Sequence, residues 1–207
     1  MKTQLECFFD CSSPWTYMAF VRIQPLASKY HIEIDWKPIL VGGVFNAVNP
    51  ALYQAREAMF NNPRRLDHYM KDMLDWADYC GITIGWPDFH PVNSVKAMRG
   101  CLVAEEHGLI TEYAKQVFEA YWGRQEDISK DEILTPIIEA LGIDQNEFFT
   151  KIQSQDYKNK LRLNTEELID RGGYGSPTLF LNGDDMYFGN DRLPLLENKL
   201  LSLEGQL

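Results

Sequence analysis

The sequence predicts an α/β fold in which a small sheet is interrupted by a long all-helical insertion. Three observations carry that prediction: strand-like patterning at both ends of the chain, helical periodicity over well over a hundred residues between them, and a Pro directly ahead of the returning strands. At 207 residues the chain exceeds a common domain of ~100–150 residues without reaching two full ones, and an insertion accounts for the surplus.

Gln4–Phe9 is a short apolar and aromatic run that stops at Asp10-Cys11-Ser12-Ser13-Pro14. Ser followed by Pro reads as a helix N-cap and first helical residue. Met18, Ala19, Ile23 and Leu26 then keep one face until about Tyr30, and Ile32–Trp36 alternates with period two, which completes a βαβ unit. After Pro38, the segment Ile39–Phe45 leads into a loop containing Asn and Pro.

Helical periodicity follows. Leu66, Tyr69, Met70, Met73, Leu74 and Ala77 share one face of a helix that ends before Gly81. Further helices are expected at Ser94–His107, Thr111–Trp122, Lys130–Leu141, Asp144–Ser154 and Tyr157–Arg171, several of them stopped by Gly. Beta character returns at Thr178–Leu181, turns at Asn182-Gly183 and continues at Met186–Phe188, after which Asn190-Asp191 can cap a last helix built on Leu193, Leu196, Leu200 and Leu201. The order βαβ, helices, ββα places residues 1–40 and 172–207 in one unit and 41–171 in the insertion.

Composition narrows the function. With 45% hydrophobic, 24% charged and 13% aromatic residues the chain is of the globular class, and its net charge of −10 repels phosphate backbones and anionic membranes. Nucleic acid and membrane partners are therefore not expected, whereas a few local cations and amide donors can still hold a small anion. No stretch approaches ~18 apolar residues and the first residues lack the pattern of a signal peptide, so a cytoplasmic location is expected. Cys7, Cys11, Cys80 and Cys101 contain no Cys-x-x-Cys pair and make no disulfide framework. Cys7 and Cys11 have the spacing of half a zinc site, but no second pair follows at suitable spacing, His31, His68, His90 and His107 are scattered, and no metal is expected.

A motif at the first strand-to-helix turn and a Pro before the third strand, in this order of elements, resemble the thioredoxin-like fold (βαβ … ββα). The stretch Asp10-x-x-Ser13-Pro14-Trp15-Thr16-Tyr17 resembles the family of 2-hydroxychromene-2-carboxylate isomerases and kappa-class glutathione transferases, relatives of the DsbA-type disulfide oxidoreductases. In those oxidoreductases Ser13–Thr16 would read Cys-Pro-His-Cys. Four stretches agree with the family in order: Gly42-Gly43-Val44-Phe45, Tyr121-Trp122-Gly123, Gly175-Ser176-Pro177-Thr178 and Phe188-Gly189-Asn190-Asp191-Arg192, the last being the narrowest signal.

Ser13 is the expected catalytic residue. A hydroxyl at a helix N-terminus can simply cap the helix, and the local sequence alone favours that role; it can also donate to a bound thiolate where the helix dipole adds positive potential. The resemblance implies the second role, toward the sulfur of glutathione, with Ser12 as the alternative if the register slips by one. Without the two motif cysteines, disulfide exchange is excluded, because that chemistry needs a thiolate attacking sulfur; Cys11 reads as a packed thiol.

The resemblance further implies a glutathione site made by Ser176 and a cis Pro177, whose neighbouring backbone pairs with an extended peptide, and by Asn190, Asp191 and Arg192 for the γ-glutamyl end. Arg65, with Arg64 beside it, matches a family Lys at the glycine end. Asn49, with Asn46 competing, matches a family Asn. Trp122, Trp86, Tyr121 and Phe45 suit either core or an apolar wall, and Arg99 either reaches a substrate carboxylate or snorkels to solvent. The implied activity is glutathione-dependent cis-trans isomerisation of the 2-hydroxychromene-2-carboxylate type in aromatic catabolism. The alternatives are a kappa-like transferase or peroxidase, and a non-catalytic thioredoxin-like binding module; a homodimer, as in the kappa class, is compatible with each.

Overall fold

A computed structural model describes residues 3–51, 55, 57, 58 and 60–204. Strand β1 (Leu5–Phe9) enters helix α1 (Pro14–Lys29), which returns through β2 (Ile34–Pro38). Between β2 and the returning strands lie α2 (Val41–Val48), α3 (Pro63–Cys80), α4 (Val95–Glu106), α5 (Ile110–Phe118), a π turn (Glu119–Gly123), α6 (Asp131–Ala140), α7 (Gln145–Gln153) and α8 (Gln155–Asp170). Strands β3 (Thr178–Leu181) and β4 (Asp185–Phe188), a 3-10 turn (Asn190–Arg192) and α9 (Leu193–Glu204) close the chain. None of the described helices is long and apolar enough to cross a membrane.

The sheet has the order β2-β1-β3-β4, with β2 parallel to β1 and the other two pairings antiparallel. Cys7 faces Trp36 on one side and Leu179 on the other. Every residue of β3 is buried, as expected for a strand flanked by partners and covered by helices. This is the thioredoxin-like plan with its helical insertion.

An aromatic layer seats α1 on both the sheet and the insertion. Tyr17 stacks on Phe118 of α5 with ring centroids 4.9 Å apart, while Phe20 packs on Phe118 at 5.2 Å and on Trp36 of β2 at 5.0 Å. Such pairs add ~0.5–1.5 kcal/mol each beyond the apolar area they bury. One continuous core therefore runs from the sheet into the helices.

Three elements depart from their sequence expectation. Strand β2 starts at Ile34 rather than Ile32, because His31 takes a φ of 53° and the Ile32 N–H turns back to the Ala27 carbonyl at 2.9 Å, still finishing α1. The segment Ile39–Phe45, expected only to lead into a loop, contains most of α2, whose first N–H, from Val41, is taken by the carboxylate of Asp10 at 2.9 Å. The helix expected at Thr111–Trp122 leaves α geometry at Glu119, and the π turn directs the consecutive side chains of Tyr121 and Trp122 inward, both fully buried.

Gly100 in α4 is required by close packing. A Cβ there would lie 2.1 Å from the Tyr113 hydroxyl and 2.7 Å from the Phe148 ring, both at zero exposure. Gly100→Ala is expected to cost about 1–3 kcal/mol through overpacking, read in urea denaturation as a lower midpoint at unchanged slope.

Candidate functional site

The turn between β1 and α1 is anchored from four sides. Ser13 caps α1, its Oγ accepting the Thr16 N–H at 3.3 Å, and Pro14 occupies the first helical position, where no N–H is needed. The Trp122 indole N–H donates to the Cys11 carbonyl at 2.9 Å, and the Cys11 N–H meets the Met98 sulfur at 3.3 Å, so the insertion grips the turn directly.

Ser176 and Pro177 lie against this turn, and the bond between them is cis. The Ser13 hydroxyl donates to the Ser176 carbonyl at 3.4 Å. The Ser176 hydroxyl accepts the Asp10 N–H at 3.0 Å and pairs with the Thr16 hydroxyl at 2.8 Å. Gly189 then donates its N–H to the Pro177 carbonyl at 3.0 Å, which brings the Asn190-Asp191-Arg192 turn to the same corner. At φ 97°, Gly189 occupies backbone space unfavourable to other residues, and a Cβ would meet the Asp191 carboxylate at 2.7 Å.

Asp10 is the polar centre that sequence reading left unassigned. Only 1% exposed, it accepts from the N–H groups of Ser12 and Val41, both at 2.9 Å, and from the Ser94 hydroxyl at 3.1 Å. Burial pushes its carboxyl above the ordinary carboxylate range, with the Ser12 and Val41 N–H groups and the Ser12 and Ser94 hydroxyls pulling the other way. Because Ser12 turns both its N–H and its hydroxyl back onto Asp10, Ser13 and not Ser12 faces the Ser176 carbonyl.

Of the γ-glutamyl candidates, Asn190 is 3% exposed and clasped by Arg22, whose Nη1 donates to its carbonyl at 2.7 Å and its Oδ1 at 2.8 Å. Asp191 and Arg192 are half-exposed and paired with each other at 2.5 Å. Arg22, a second residue that sequence reading missed, also lies under Trp76 and Tyr79, at 4.8 and 5.4 Å from their ring centroids. Asn49 is half-buried at the end of α2 and Arg65 is exposed in the first turn of α3; no described residue engages either side chain. Arg99 does not point to the turn, since its Nη1 donates to the Ile152 carbonyl of α7 at 3.1 Å.

Beside the turn stands an aromatic wall. The Trp15 indole donates to the Tyr69 hydroxyl at 3.2 Å, and Tyr69 meets Trp86 edge-on at 6.2 Å. Trp86 in turn contacts His90 at 4.6 Å and Trp122 at 6.0 Å, while the Tyr121 hydroxyl and His90 Nδ1 are 2.6 Å apart. Phe45 stands apart from this wall, next to Gly175. An open hollow of about 340 Å³ borders Arg192 along β4, and neither Ser13 nor Ser176 lines it.

The thiols take no part. Burial, reinforced by Cys101, pushes the Cys11 thiol well above its ordinary range, and burial does the same to Cys7, which keeps both protonated and non-nucleophilic. Among the described residues no three His, Cys, Asp or Glu side chains gather as metal ligands do. What remains is a hydroxyl donor at a helix N-terminus, a backbone edge facing it, the Asp191–Arg192 ion pair on the turn that follows β4, and an aromatic wall.

Two outcomes follow from Asp10. Asp10→Ala strands two N–H groups and a hydroxyl in the interior and is expected to cost about 3 kcal/mol or more, measurable by urea denaturation. Because the folded carboxyl titrates above its unfolded value, its contribution to stability is complete below about pH 4 and is lost as pH rises through the folded value. The stability of wild type relative to Asp10→Asn is therefore expected to decline as pH rises above about 4.

The model of the DSBA-like thioredoxin domain matches residues 4–201. The protein named 2-hydroxychromene-2-carboxylate isomerase from Pseudomonas putida is 31% identical over 198 residues, covering 95% of this chain and 93% of its own. Glutathione S-transferase kappa 1 from Caenorhabditis elegans is 25% identical over 213 residues, covering 95% and 90%. A solved 2-hydroxychromene-2-carboxylate isomerase superposes with a TM-score of 0.83 at 28% identity, over 98% of this chain and 96% of the other. With the fold and motif stretches in agreement from end to end, the chain belongs to the DSBA-like thioredoxin family, in the branch shared by the 2-hydroxychromene-2-carboxylate isomerases and the kappa-class glutathione transferases.

Proposed function

We propose that this protein is a glutathione-dependent cis-trans isomerase of the 2-hydroxychromene-2-carboxylate type, with Ser13 donating to the thiolate. The observation that carries the reading is the Ser13 hydroxyl at the start of α1, 3.4 Å from the Ser176 carbonyl beside Pro177, in a motif without sulfur at either exchange position. Further support is the 31% identity to a protein named 2-hydroxychromene-2-carboxylate isomerase along almost the whole chain.

The residues present fit glutathione. Ser13 and the N-terminal dipole of α1 suit a thiolate, the Ser176 backbone suits an extended peptide, and Asp191 and Arg192 offer opposite charges to the ammonium and carboxylate of a γ-glutamyl group. Asn190, held by Arg22, fixes the turn that presents them. Arg65 is assigned to the carboxylate at the glycine end and Asn49 to a further amide contact. Bound glutathione supplies a thiolate able to add reversibly to an activated double bond, which frees that bond to rotate and returns the peptide unchanged.

The protein's own share is electrostatic and steric. Ser13 lowers the cost of the thiolate with a hydrogen bond and the α1 dipole, against the repelling field of the acidic chain. Trp15, Tyr69 and Trp86, all half-buried, offer flat apolar surface to an aromatic substrate and displace water from it. A kappa-like transferase or peroxidase is the second reading, favoured by the 25% identity to a kappa-class enzyme over 95% of the chain. It differs in consuming glutathione.

Glutathione titration by calorimetry, with thiolate absorbance followed against pH, tests the proposal. The bound thiol is expected to ionise below the ~8.5 of a free cysteine thiol in wild type and near that value in Ser13→Ala, with kcat/KM on 2-hydroxychromene-2-carboxylate falling about 100-fold in the variant. Failure of wild type to bind glutathione would reject the proposal in favour of a non-catalytic binding module; loss of free glutathione in step with turnover would select the transferase reading.

A further inference from the structure

We propose that the Tyr69 hydroxyl is the hydrogen-bond donor for the substrate's carbonyl oxygen, so that the wall takes part in the reaction as well as in binding; the inference rests on the glutathione reading above. Addition of a thiolate to an activated double bond moves the π electron pair onto the carbonyl oxygen conjugated with it. The pair returns when the carbon–sulfur bond breaks, so charge on that oxygen appears and disappears with no net gain or loss of protons or electrons. Ser13 serves the sulfur end of this movement. The oxygen end calls for a second donor on the substrate's side of the site, where apolar rings keep water away and a hydrogen bond to charge counts most.

The hydroxyls around the turn and the wall narrow the choice by burial. Those of Thr16, Ser94 and Ser176 are buried and bonded within the network around Asp10, and Ser12 is turned back onto Asp10. Tyr121 has zero exposure and meets His90 at 2.6 Å. Tyr69 differs. Half-buried on α3, it belongs to the wall itself, its ring edge-on to Trp15 at 5.8 Å and to Trp86 at 6.2 Å.

The direction of its bond to Trp15 is fixed by chemistry. An indole N–H can only donate, so in the 3.2 Å contact the Tyr69 oxygen is the acceptor and its own proton is not the one shared. Accepting that bond makes the phenol a stronger donor, because hydrogen bonds in a chain polarise one another. It also ties the oxygen to the first turn of α1. Trp15 stands two residues past Ser13, so the donor for the sulfur and the donor for the carbonyl oxygen border one helix start, the first from the motif turn and the second from the insertion.

Two probes isolate this hydrogen bond without glutathione. 4-Nitrophenolate is a flat ring carrying an oxyanion, and 4-nitroanisole is the same ring with that oxygen methylated. Absorbance titration at pH 8 is expected to show wild type binding the anion about tenfold more tightly than Tyr69→Phe does, with 4-nitroanisole bound equally by both. Trp15→Phe, which keeps a ring and removes the indole N–H, is expected to lose about threefold for the anion alone. In the glutathione-saturated enzyme, Tyr69→Phe is expected to lower kcat about 100-fold at unchanged KM, with the affinity for glutathione and the ionisation of its thiol as in wild type. Equal affinity of wild type and Tyr69→Phe for 4-nitrophenolate, or a matching loss for both probes, overturns the proposal while the glutathione site stands. If wild type prefers the anion through Tyr69 but binds no glutathione, the underlying reading falls, and the role of the hydroxyl in the reaction falls with it.

Discussion

The site depends on one buried chain of hydrogen bonds, from Thr16 through the Ser176 hydroxyl to the Asp10 N–H, continued by the Asp10 carboxylate to Val41 and Ser94. Polar groups this deep are tolerated only when partnered, since each unpaired donor costs ~1–3 kcal/mol. The chain joins residues up to 166 positions apart, and its partners lie at helix starts or in the turns beside β1 and β3. The relative placement of β1, α1, α2, α4 and the turn before β3 is consequently over-determined, and Ser13 inherits a fixed position from it.

That rigidity is spent on a motif without sulfur. Ser13 and Thr16 stand at the helix start without sulfur, and the nearby thiol Cys11 is buried against Cys101. The excess of acidic side chains works against anionic ligands at long range, whereas a hydroxyl, a helix dipole or a cation works at contact distance, where screening matters least.

The two parts of the chain divide the labour. The sheet and its connections provide the polar corner, and the helical insertion provides the wall of Tyr69, Trp86, His90, Tyr121 and Trp122. Trp122 couples the two by stacking within the wall and donating to the Cys11 carbonyl. Tyr121 and Trp122 lie together in the π turn Glu119–Gly123, both fully buried.

Local signals were enough for the elements and for the motif. The Ser13-Pro14 cap, the helical spacing from Leu66 to Ala77 and the Asn182-Gly183 turn are written in adjacent residues or in helical spacing, so the order of elements and the thioredoxin-like architecture were legible from sequence, although Leu74, expected on the apolar face, is exposed. The start of α2 was not, because the group that supplies its first hydrogen bond, Asp10, lies 31 residues earlier. Nor were the roles of Asp10, Ser94 and Arg22, or the departure from α geometry at Glu119, legible in their own neighbourhoods. Periodicity and capping are short-range effects that a sequence displays directly; the choice between Ser12 and Ser13, and the burial of Asn190 under Arg22, arise from contacts between distant segments that exist only once the chain has folded.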